Sequence, residues 1–415
     1  MLFFKKKIKW IPLFATNFFG VLNDNILKNL ICFVSIYWVA NSKASIVIML
    51  ATGVMVLPYI LFSPLAGKFA KIRSKQKIVF WTKLSEIPIM LFAWMGFYFE
   101  NIYIVIAGMF LMGLQSTVYS PSKYGLIREI GGTKGISFGT GTIEMLTFLG
   151  VLLGTFFAGV LSDIKTHRLF FILLAIMTIT LSGFFAAVKL KANETKPLSG
   201  KMDSVNPIKF IIRMIKSSEK KYQGLNLTVF GLSSFWLIGS LIQMNLLVHC
   251  PQTLQMTNTA TGFVMALVAI AVATGSFLSG IFSKKKVEVG LIPVGSFGLA
   301  ISISMIVLIN PGKILFIILM ISAAFFAGFF KIPLNAWIQD KVQGRNLGDA
   351  IAYNNLMNFI FILISAGIFG WVESQFNTRI VFLVIAVFSW FIGLFLIVKL
   401  HGIKESFNRL FLINQ

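Results

Sequence analysis

Long apolar runs, separated by short polar segments, dominate the pattern of this chain. Most runs are about 20 residues long, which is what a helix needs to cross roughly 30 Å of hydrocarbon. Twelve such spans are predicted, at about 10–38, 46–67, 78–98, 101–122, 137–161, 168–188, 226–248, 260–282, 287–309, 313–337, 348–371 and 379–400. We therefore expect an all-α membrane protein with twelve transmembrane helices.

Composition excludes one large soluble domain. Of the 415 residues, 57% are hydrophobic and 12% are charged, and the mean hydropathy is +0.85. A soluble chain needs more polar surface than this, and soluble cores stop growing well before they bury a dozen such runs.

The net charge of +23 predicts orientation in the membrane rather than binding to nucleic acid. With the N-terminus inside, five of the 37 Lys and Arg lie outside and two lie within spans, and the remaining 30 are assigned to the termini and inner loops. Because Lys and Arg concentrate in cytoplasmic loops, we expect both termini in the cytoplasm. The outer residues are Lys43, Lys165, Arg168, Lys313 and Arg379, and Lys28 and Lys83 lie within spans.

Residues 189–222 form a long basic stretch that divides the chain into a six-span N-terminal half, 1–188, and a six-span C-terminal half, 223–415. The stretch carries nine Lys and Arg. Its later part, 206–221, has the pattern of a basic amphipathic helix lying on the cytoplasmic face of the membrane.

The two halves share landmarks at similar spacing. The segments "PLAGKFAKIRSKQK" (64–77) and "SFLSGIFSKKKVEV" (276–289) place Gly67 and Gly280 213 residues apart, and Pro121 and Pro333 lie 212 apart. Such landmarks indicate a duplicated six-helix unit. Two parallel six-helix repeats are the architecture of the major facilitator fold.

The first landmark also resembles the signature loop of that superfamily. The loop usually carries an acidic residue four positions after the glycine, whereas this chain has Lys71, and Lys284 in the second copy. We therefore expect both lysines to act as topological charges rather than as part of a gating salt bridge.

Asp24 is the main candidate among ionisable residues inside the spans. It lies in the middle of span 1 between Asn23 and Asn25, and Lys28 follows one helical turn later. One interpretation is a structural pair with Lys28. The other, favoured by its depth, is a carboxylate in a central cavity that binds a cation, a proton or a cationic headgroup.

The other polar residues inside the spans are assigned either a structural role or two alternative roles. Glu86 and Lys83 are predicted to form a structural pair. Glu144 in span 5 either lines a cavity or stabilises the bundle through a hydrogen bond. Asn354, Asn355 and Asn358 in span 11 share a helix face and either join helices or line a cavity. Gln243 and Asn245 are the polar residues of span 7. Close packing between helices is expected at Gly150, Gly154 and Gly159.

Three segments resemble the bacterial lysophospholipid transporters of the major facilitator superfamily. Those transporters carry Phe-Gly-Asp-Asn in helix 1, Tyr-Ser-Pro-Ala-Lys-Tyr-Gly at the end of helix 4, and Ser-Leu-Phe-Trp-x-x-Gly-Ser in helix 7. This chain has "FFGVLNDN" (18–25), "YSPSKYG" (119–125) and "SFWLIGS" (234–240). The second match is the most specific, with one Ser in place of Ala.

The resemblance implies a function and its partners. Such transporters move lysophospholipids, chiefly lysophosphatidylethanolamine, from the outer to the inner leaflet of the bacterial inner membrane. There a separate acyltransferase restores the missing chain. The resemblance thus implies a lysophospholipid substrate and a bilayer environment.

The resemblance also implies functional residues. Asp24, Asn25 and Lys123 match functional positions of the family, and Tyr119 and Tyr124 shape the helix 4 motif. Two positions depart from the pattern: Asn23 replaces a glycine, and Gln243 stands in place of an arginine. The predicted substrate-binding residues are Asp24, Asn25, Lys28, Tyr119, Lys123, Tyr124, Glu144, Gln243, Asn354 and Asn358.

Two other functions fit the sequence less well. A drug or metabolite exporter of the same superfamily is disfavoured because span 4 has no Arg and span 5 has no Gly-Pro pair. A membrane-bound acyltransferase is disfavoured because none of His167, His249 and His401 begins a His-x4-Asp motif. No Walker A sequence is present either. We expect a monomeric transporter with no catalytic residues, no cofactor and no metal.

Overall fold

The computed structural model describes residues 9–34, 38, 44–198, 206–283 and 286–411, and these ranges contain thirteen α-helices and no strand. Lys43 and Lys284 lie outside the described residues. The helices are α1 (Ile11–Val34), α2 (Ala44–Ile72), α3 (Lys75–Tyr98), α4 (Ile102–Asp163), α5 (Arg168–Val188), α6 (Pro207–Lys221), α7 (Leu225–Gln252), α8 (Asn258–Phe282), α9 (Leu291–Ile309), α10 (Lys313–Lys341), α11 (Leu347–Gln375), α12 (Thr378–Lys399) and α13 (Ile403–Phe411).

Each of the twelve predicted spans has a described helix, which confirms the span prediction. Spans 4 and 5 share the 62-residue helix α4, which is broken at Gly132. Gly132 has φ 59° and ψ −169°, a conformation that glycine adopts without steric cost. By length and composition, ten helices of the described ranges are able to cross a membrane. α1 is not among them, because four asparagines and Asp24 lower its hydropathy.

The first of two compact units combines residues 1–132, 149–212 and 343–353. Its core lies between α1, α3, α4 and α5, with Leu27, Met90, Met109 and Ile172 almost completely buried. On α1 the buried members Leu22, Ile26 and Leu30 recur every four residues, so they lie along one helix face.

Glycines bring α4 close to α1 in this unit. A Cβ on Gly154 would lie 2.7 Å from Asn25 Cβ, and one on Gly150 would lie 3.1 Å from a Val21 methyl carbon. A Cβ on Gly159 would meet no atom within 4 Å. Close packing is therefore confirmed for Gly150 and Gly154, and the prediction for Gly159 is wrong.

The segment 343–353 packs against the end of α2 in the first unit. Gly67 and Gly348 approach so closely that a Cβ on Gly348 would lie 2.8 Å from the carbonyl oxygen of Gly67. Lys71 Nζ pairs with Asp349 Oδ2 at 3.1 Å. Lys71 thus forms a salt bridge although its loop lacks the usual acidic residue, because a distant part of the sequence supplies the carboxylate. Its predicted role as a topological charge stays a prediction.

A buried arginine ties this segment to the polar linker. The Arg345 guanidinium donates to backbone carbonyls at the end of α2 and in the linker, and to Glu194 Oε2 at 3.2 Å. Its carbonyl acceptors are those of Ala70, Arg73, Thr195 and Lys196.

Glu194 in turn caps the start of α3. Ser74 Oγ and the backbone N–H groups of Lys75 and Gln76 donate to its carboxylate at 2.7–2.8 Å. Partial burial raises the pKa of this carboxyl, but these hydrogen bonds outweigh burial and hold the pKa below its ordinary value. The linker residues before 199 are thus part of the packed structure.

The second unit combines residues 133–148, 213–342 and 354–415. In this unit α9 packs between α10 and α12, and α7 packs against α10 and α12. Here Gly280 meets Gly141, since a Cβ on Gly141 would lie 3.1 Å from Gly280 Cα. Gly67 contacts Gly348 in the same way in the first unit. Such corresponding contacts are expected if a six-helix unit was duplicated.

α6 confirms the predicted amphipathic helix after the linker. Phe210, Met214 and Ser218 are buried along one face, whereas Ile208 and Ile212 are exposed. The predicted division into the halves 1–188 and 223–415 stays a prediction.

Candidate functional site

A polar cavity lies within the first unit, between α1, α2, α3 and α4. Its empty volume is about 370 Å³, including the part open to solvent. A cavity of this size suits a small polar group such as a headgroup and is too small for a whole lipid. The lining residues are Asn17, Gly20, Val21, Asp24, Tyr59, Lys83, Gln115, Ser116, Tyr119, Ser120 and Lys123.

Helical spacing explains which residues reach the cavity. On α1 the lining positions 17, 20, 21 and 24 follow the i, i+3, i+4, i+7 pattern of one helix face. On α4 the positions 115, 116, 119, 120 and 123 form a similar stripe. One face of α1 and one face of α4 therefore form most of the cavity wall.

Asp24 is the acidic residue of the wall. Its side chain is buried, and Ser116 Oγ donates to Oδ2 at 3.0 Å. Oδ1 is buried and has no hydrogen-bond partner among the described residues. A buried carboxylate oxygen without a donor is costly, so such atoms in native structures call for an explanation, such as a ligand or water that supplies the donor.

Tyr119 lies between two lysine ammonium groups. Lys83 Nζ is 5.4 Å and Lys123 Nζ 5.7 Å from the centre of its ring, within the range of cation–π attraction. Lys123 also donates to Asn17 Oδ1 at 2.9 Å. The Tyr119 hydroxyl is buried, and no described residue hydrogen-bonds to it. The cavity therefore offers two cations, together with a carboxylate oxygen and a hydroxyl that no described residue satisfies.

Lys83 and Glu86 form the predicted pair, with Nζ 2.6 Å from Oε2 and both side chains buried. The pair also belongs to the cavity, because Lys83 lines it. Gly20 leaves space for the ammonium, since a Cβ there would overlap Lys83 Nζ. The sequence favours a structural role for Lys83; its position within a span was the signal for a cavity role.

Three predicted site residues on α1 and α4 lie outside the cavity wall. Asn25 faces α4 at Gly154, and its side-chain amide donates to the Val21 carbonyl at 2.8 Å. Lys28 is half-buried and is not among the lining residues. Tyr124 holds its ring 4.7 Å from Lys123 Nζ and so supports that lysine from behind the wall.

Glu144 belongs to the second unit, where Lys331 Nζ lies 2.6 Å from its Oε2. Asn335 donates to the other carboxylate oxygen at 3.2 Å, and rings of Phe148, Phe235 and Trp236 lie 4.6–5.1 Å from the ammonium. This favours the bundle-stabilising interpretation of Glu144. Lys331 is buried in α10. It and Lys399 lie within the predicted spans 313–337 and 379–400, so 28 Lys and Arg, not 30, are left for the inner side.

The remaining predicted residues also lie in the second unit. Ser233 donates to Asn358 Oδ1 at 3.0 Å between α7 and α11. Asn354 is buried, and its Oδ1 has no hydrogen-bond partner in the described part of the chain. Gln243 is exposed on α7. Their role in substrate binding stays a prediction.

A family model supplies the decisive comparison, because the Major Facilitator Superfamily model matches residues 13–366. The chain belongs to the Major Facilitator Superfamily. Solved structures agree in fold: a bacterial homologue of the iron transporter ferroportin has a TM-score of 0.74 at 12% identity, covering 94% of this chain and 99% of that one. The human organic anion transporter MFSD10 has a TM-score of 0.72 at 13% identity, covering 93% and 99%.

Among the relatives of similar sequence are two lysophospholipid transporters. The lysophospholipid transporter LplT of Yersinia enterocolitica is 26% identical over 326 residues, which are 76% of this chain and 76% of the relative. LplT of Escherichia fergusonii is 26% identical over 331 residues, 76% of this chain and 77% of the relative. The resemblance indicated by three short motifs is thus confirmed over 76% of the chain. This superfamily member is a multi-pass membrane transporter.

Proposed function

We propose that this superfamily member transports lysophospholipids, chiefly lysophosphatidylethanolamine, from the outer to the inner leaflet of the bacterial inner membrane. A separate acyltransferase then restores the missing acyl chain. The proposal includes cytoplasmic termini and a monomeric transporter. The names of the relatives support the substrate class, and the cavity supports the headgroup chemistry.

The observation that carries the proposal is the charge arrangement of the cavity. A phosphoethanolamine headgroup has an ammonium and a phosphate. The cavity has the ammonium of Lys123 and the Oδ1 of Asp24, to which no described residue donates. Both side chains are buried, and opposite charges a few ångströms apart attract each other more strongly among buried groups than in bulk solvent. Asp24 therefore suits the ammonium, and Lys123 suits the phosphate.

The shape of the site agrees with a lipid that has one acyl chain. The cavity holds a headgroup but not an acyl chain, which would have to lie along the apolar helix surfaces.

The test is conversion of added lysophosphatidylethanolamine to diacyl lipid in bacterial spheroplasts that lack their own transporter. The acyltransferase is supplied in all samples, and spheroplasts without this chain are the control. We expect conversion only when the chain is present. Failure to take up any lysophospholipid would overturn the proposal and favour an exporter of drugs or metabolites.

A further inference from the structure

Glu86 forms hydrogen bonds with residues of several helices in addition to its ion pair with Lys83. Glu86 Oε2 accepts from Lys83 at 2.6 Å, and Oε1 accepts from Asn23 at 2.7 Å. Gln115 adds a contact to Oε2 at 3.4 Å. Asn23 is itself fixed by Thr180 at 2.7 Å. Glu86 thus lies behind the wall and is held from α1, α3 and α4.

Glu86 does not line the cavity, but it controls the charge that the cavity presents. The charged lining residues are Asp24, Lys83 and Lys123, which give an excess of one positive charge. Glu86 cancels the charge of Lys83 from behind, which leaves one carboxylate and one ammonium. Glu86, Lys83 and Lys123 all act electrostatically on the Asp24 carboxylate, so the four charges form one system.

We propose that Glu86 is a positioning residue that sets the headgroup preference: by neutralising Lys83, it adapts the cavity to zwitterionic rather than anionic headgroups. This inference rests on the proposed function and specifies its substrate class. A zwitterionic phosphoethanolamine matches a cavity with no net charge, whereas an anionic phosphoglycerol matches one with an extra positive charge.

The local hydrogen bonds allow Glu86 to be replaced by glutamine. In Glu86→Gln the amide NH₂ needs an acceptor, and Asn23 has a buried Oδ1 with no hydrogen-bond partner in the ranges that the structure describes. Rotation of the Asn23 amide by half a turn presents this oxygen to the new donor, at the cost of the hydrogen bond that its NH₂ group donates to Thr180. The side-chain oxygen of the introduced glutamine can then still accept from Lys83.

Two single variants and their combination test the inference. Uptake of lysophosphatidylethanolamine and of lysophosphatidylglycerol is measured in the spheroplast assay, and the ratio of the two rates is compared with that of the wild type. In Glu86→Gln we expect the ratio to shift towards the anionic lipid by at least about tenfold, equivalent to about 1.4 kcal/mol. In Lys83→Gln it should shift the opposite way, and in the double variant it should return close to wild type.

A matched control comes from a second lysine–glutamate pair. Lys75 Nζ lies 2.6 Å from Glu129 Oε1, and neither residue lines the cavity. Glu129→Gln should therefore leave the ratio unchanged. An unchanged ratio in both Glu86→Gln and Lys83→Gln, or the same shift in Glu129→Gln, would overturn the inference.

Headgroup binding separates this inference from the transport proposal. Thermal stabilisation of the purified protein by glycerophosphoethanolamine and by glycerophosphoglycerol reports the cavity preference without transport. If the wild type takes up no lysolipid, the proposed function fails, yet opposite shifts of this binding preference in the two single variants still support the role of Glu86. Equal binding preference in all variants contradicts it.

Discussion

At the scale of single residues, a buried carboxylate oxygen normally finds a donor, and Asp24 Oδ1 has none in the described part of the structure. Its helix neighbours provide none because they point to other faces: Asn23 reaches Glu86, and Asn25 bonds back to its own helix. The donor is therefore expected from a bound ligand or water.

Asp24→Asn tests that role without changing the size of the side chain. The fold should survive, because asparagine has the same size and its side-chain oxygen can still accept the hydrogen bond from Ser116. Uptake of lysophosphatidylethanolamine should drop at least about tenfold if the carboxylate contributes roughly 1.4 kcal/mol to a substrate- or ion-bound step. Asp163→Asn, at an exposed helix end, is the matched control. Normal uptake by Asp24→Asn would refute the site while leaving the function intact.

Gly20 provides a second test at the same scale. Alanine there would place its Cβ against Lys83 Nζ, which the ion pair with Glu86 holds in place. We expect Gly20→Ala to displace the ammonium and reduce uptake several-fold with little loss of protein. Gly159→Ala is the control, because a Cβ there meets no atom within 4 Å. Equal activity of the two variants would show that the position of Lys83 is unimportant.

At the scale of elements, two contacts hold segment 343–353 to the first unit, and they differ in strength. The pair of Lys71 and Asp349 is partly exposed, with side-chain exposures of 24% and 13%, and such pairs contribute about 1 kcal/mol or less. Arg345 is buried and serves four carbonyls and a carboxylate, so its loss leaves buried acceptors unsatisfied.

This difference predicts unequal variants. Lys71→Ala should keep transport within a few-fold of wild type, in line with a mainly topological charge. Arg345→Gln should destabilise the protein by about 3 kcal/mol or more, because each unsatisfied buried group costs about 1–3 kcal/mol. The spheroplast assay measures transport, and thermal unfolding of the purified proteins measures stability. Near-total loss of transport in well-expressed Lys71→Ala would reveal a gating role for that loop.

The pair of Lys331 and Glu144 gives the corresponding prediction for the second unit. Lys331→Met leaves Glu144 as an uncompensated buried charge, which typically costs about 3–5 kcal/mol. Adding Glu144→Gln should recover most of that stability, since the charge is then removed. Unfolding of the single and double variants in detergent measures the recovery, and a double variant no more stable than Lys331→Met would contradict the pairing.

At the scale of the whole molecule, the distribution of Lys and Arg predicts orientation. The linker at Ser199, which lies outside the described residues, should face the cytoplasm. In a variant with Ser199→Cys and with Cys32 and Cys250 replaced by Ser, an impermeant thiol reagent added to intact cells should not label the protein. Labelling should appear once the membrane is opened, and ready labelling of intact cells would reverse the topology.

The sequence by itself determined the spans, the fold class and the family. The length of the apolar runs, the distribution of Lys and Arg and the short motifs each depend on neighbouring residues or on simple counts. They can therefore be recognised without a structure. Asp24 could be found from the sequence because ionisable residues are rare inside membrane spans, and Tyr119 and Lys123 because they belong to the helix 4 motif. The structure brings all three residues to one cavity.

Only the tertiary structure decided which partners these residues meet. Asp349 is 278 positions from Lys71, and Lys331 is 187 positions from Glu144, so no local pattern relates them. The place of Lys83 at the cavity likewise depends on Gly20 in another helix. In a membrane helix the side of the helix that a polar residue faces is set by packing against neighbours, and its function follows from that packing.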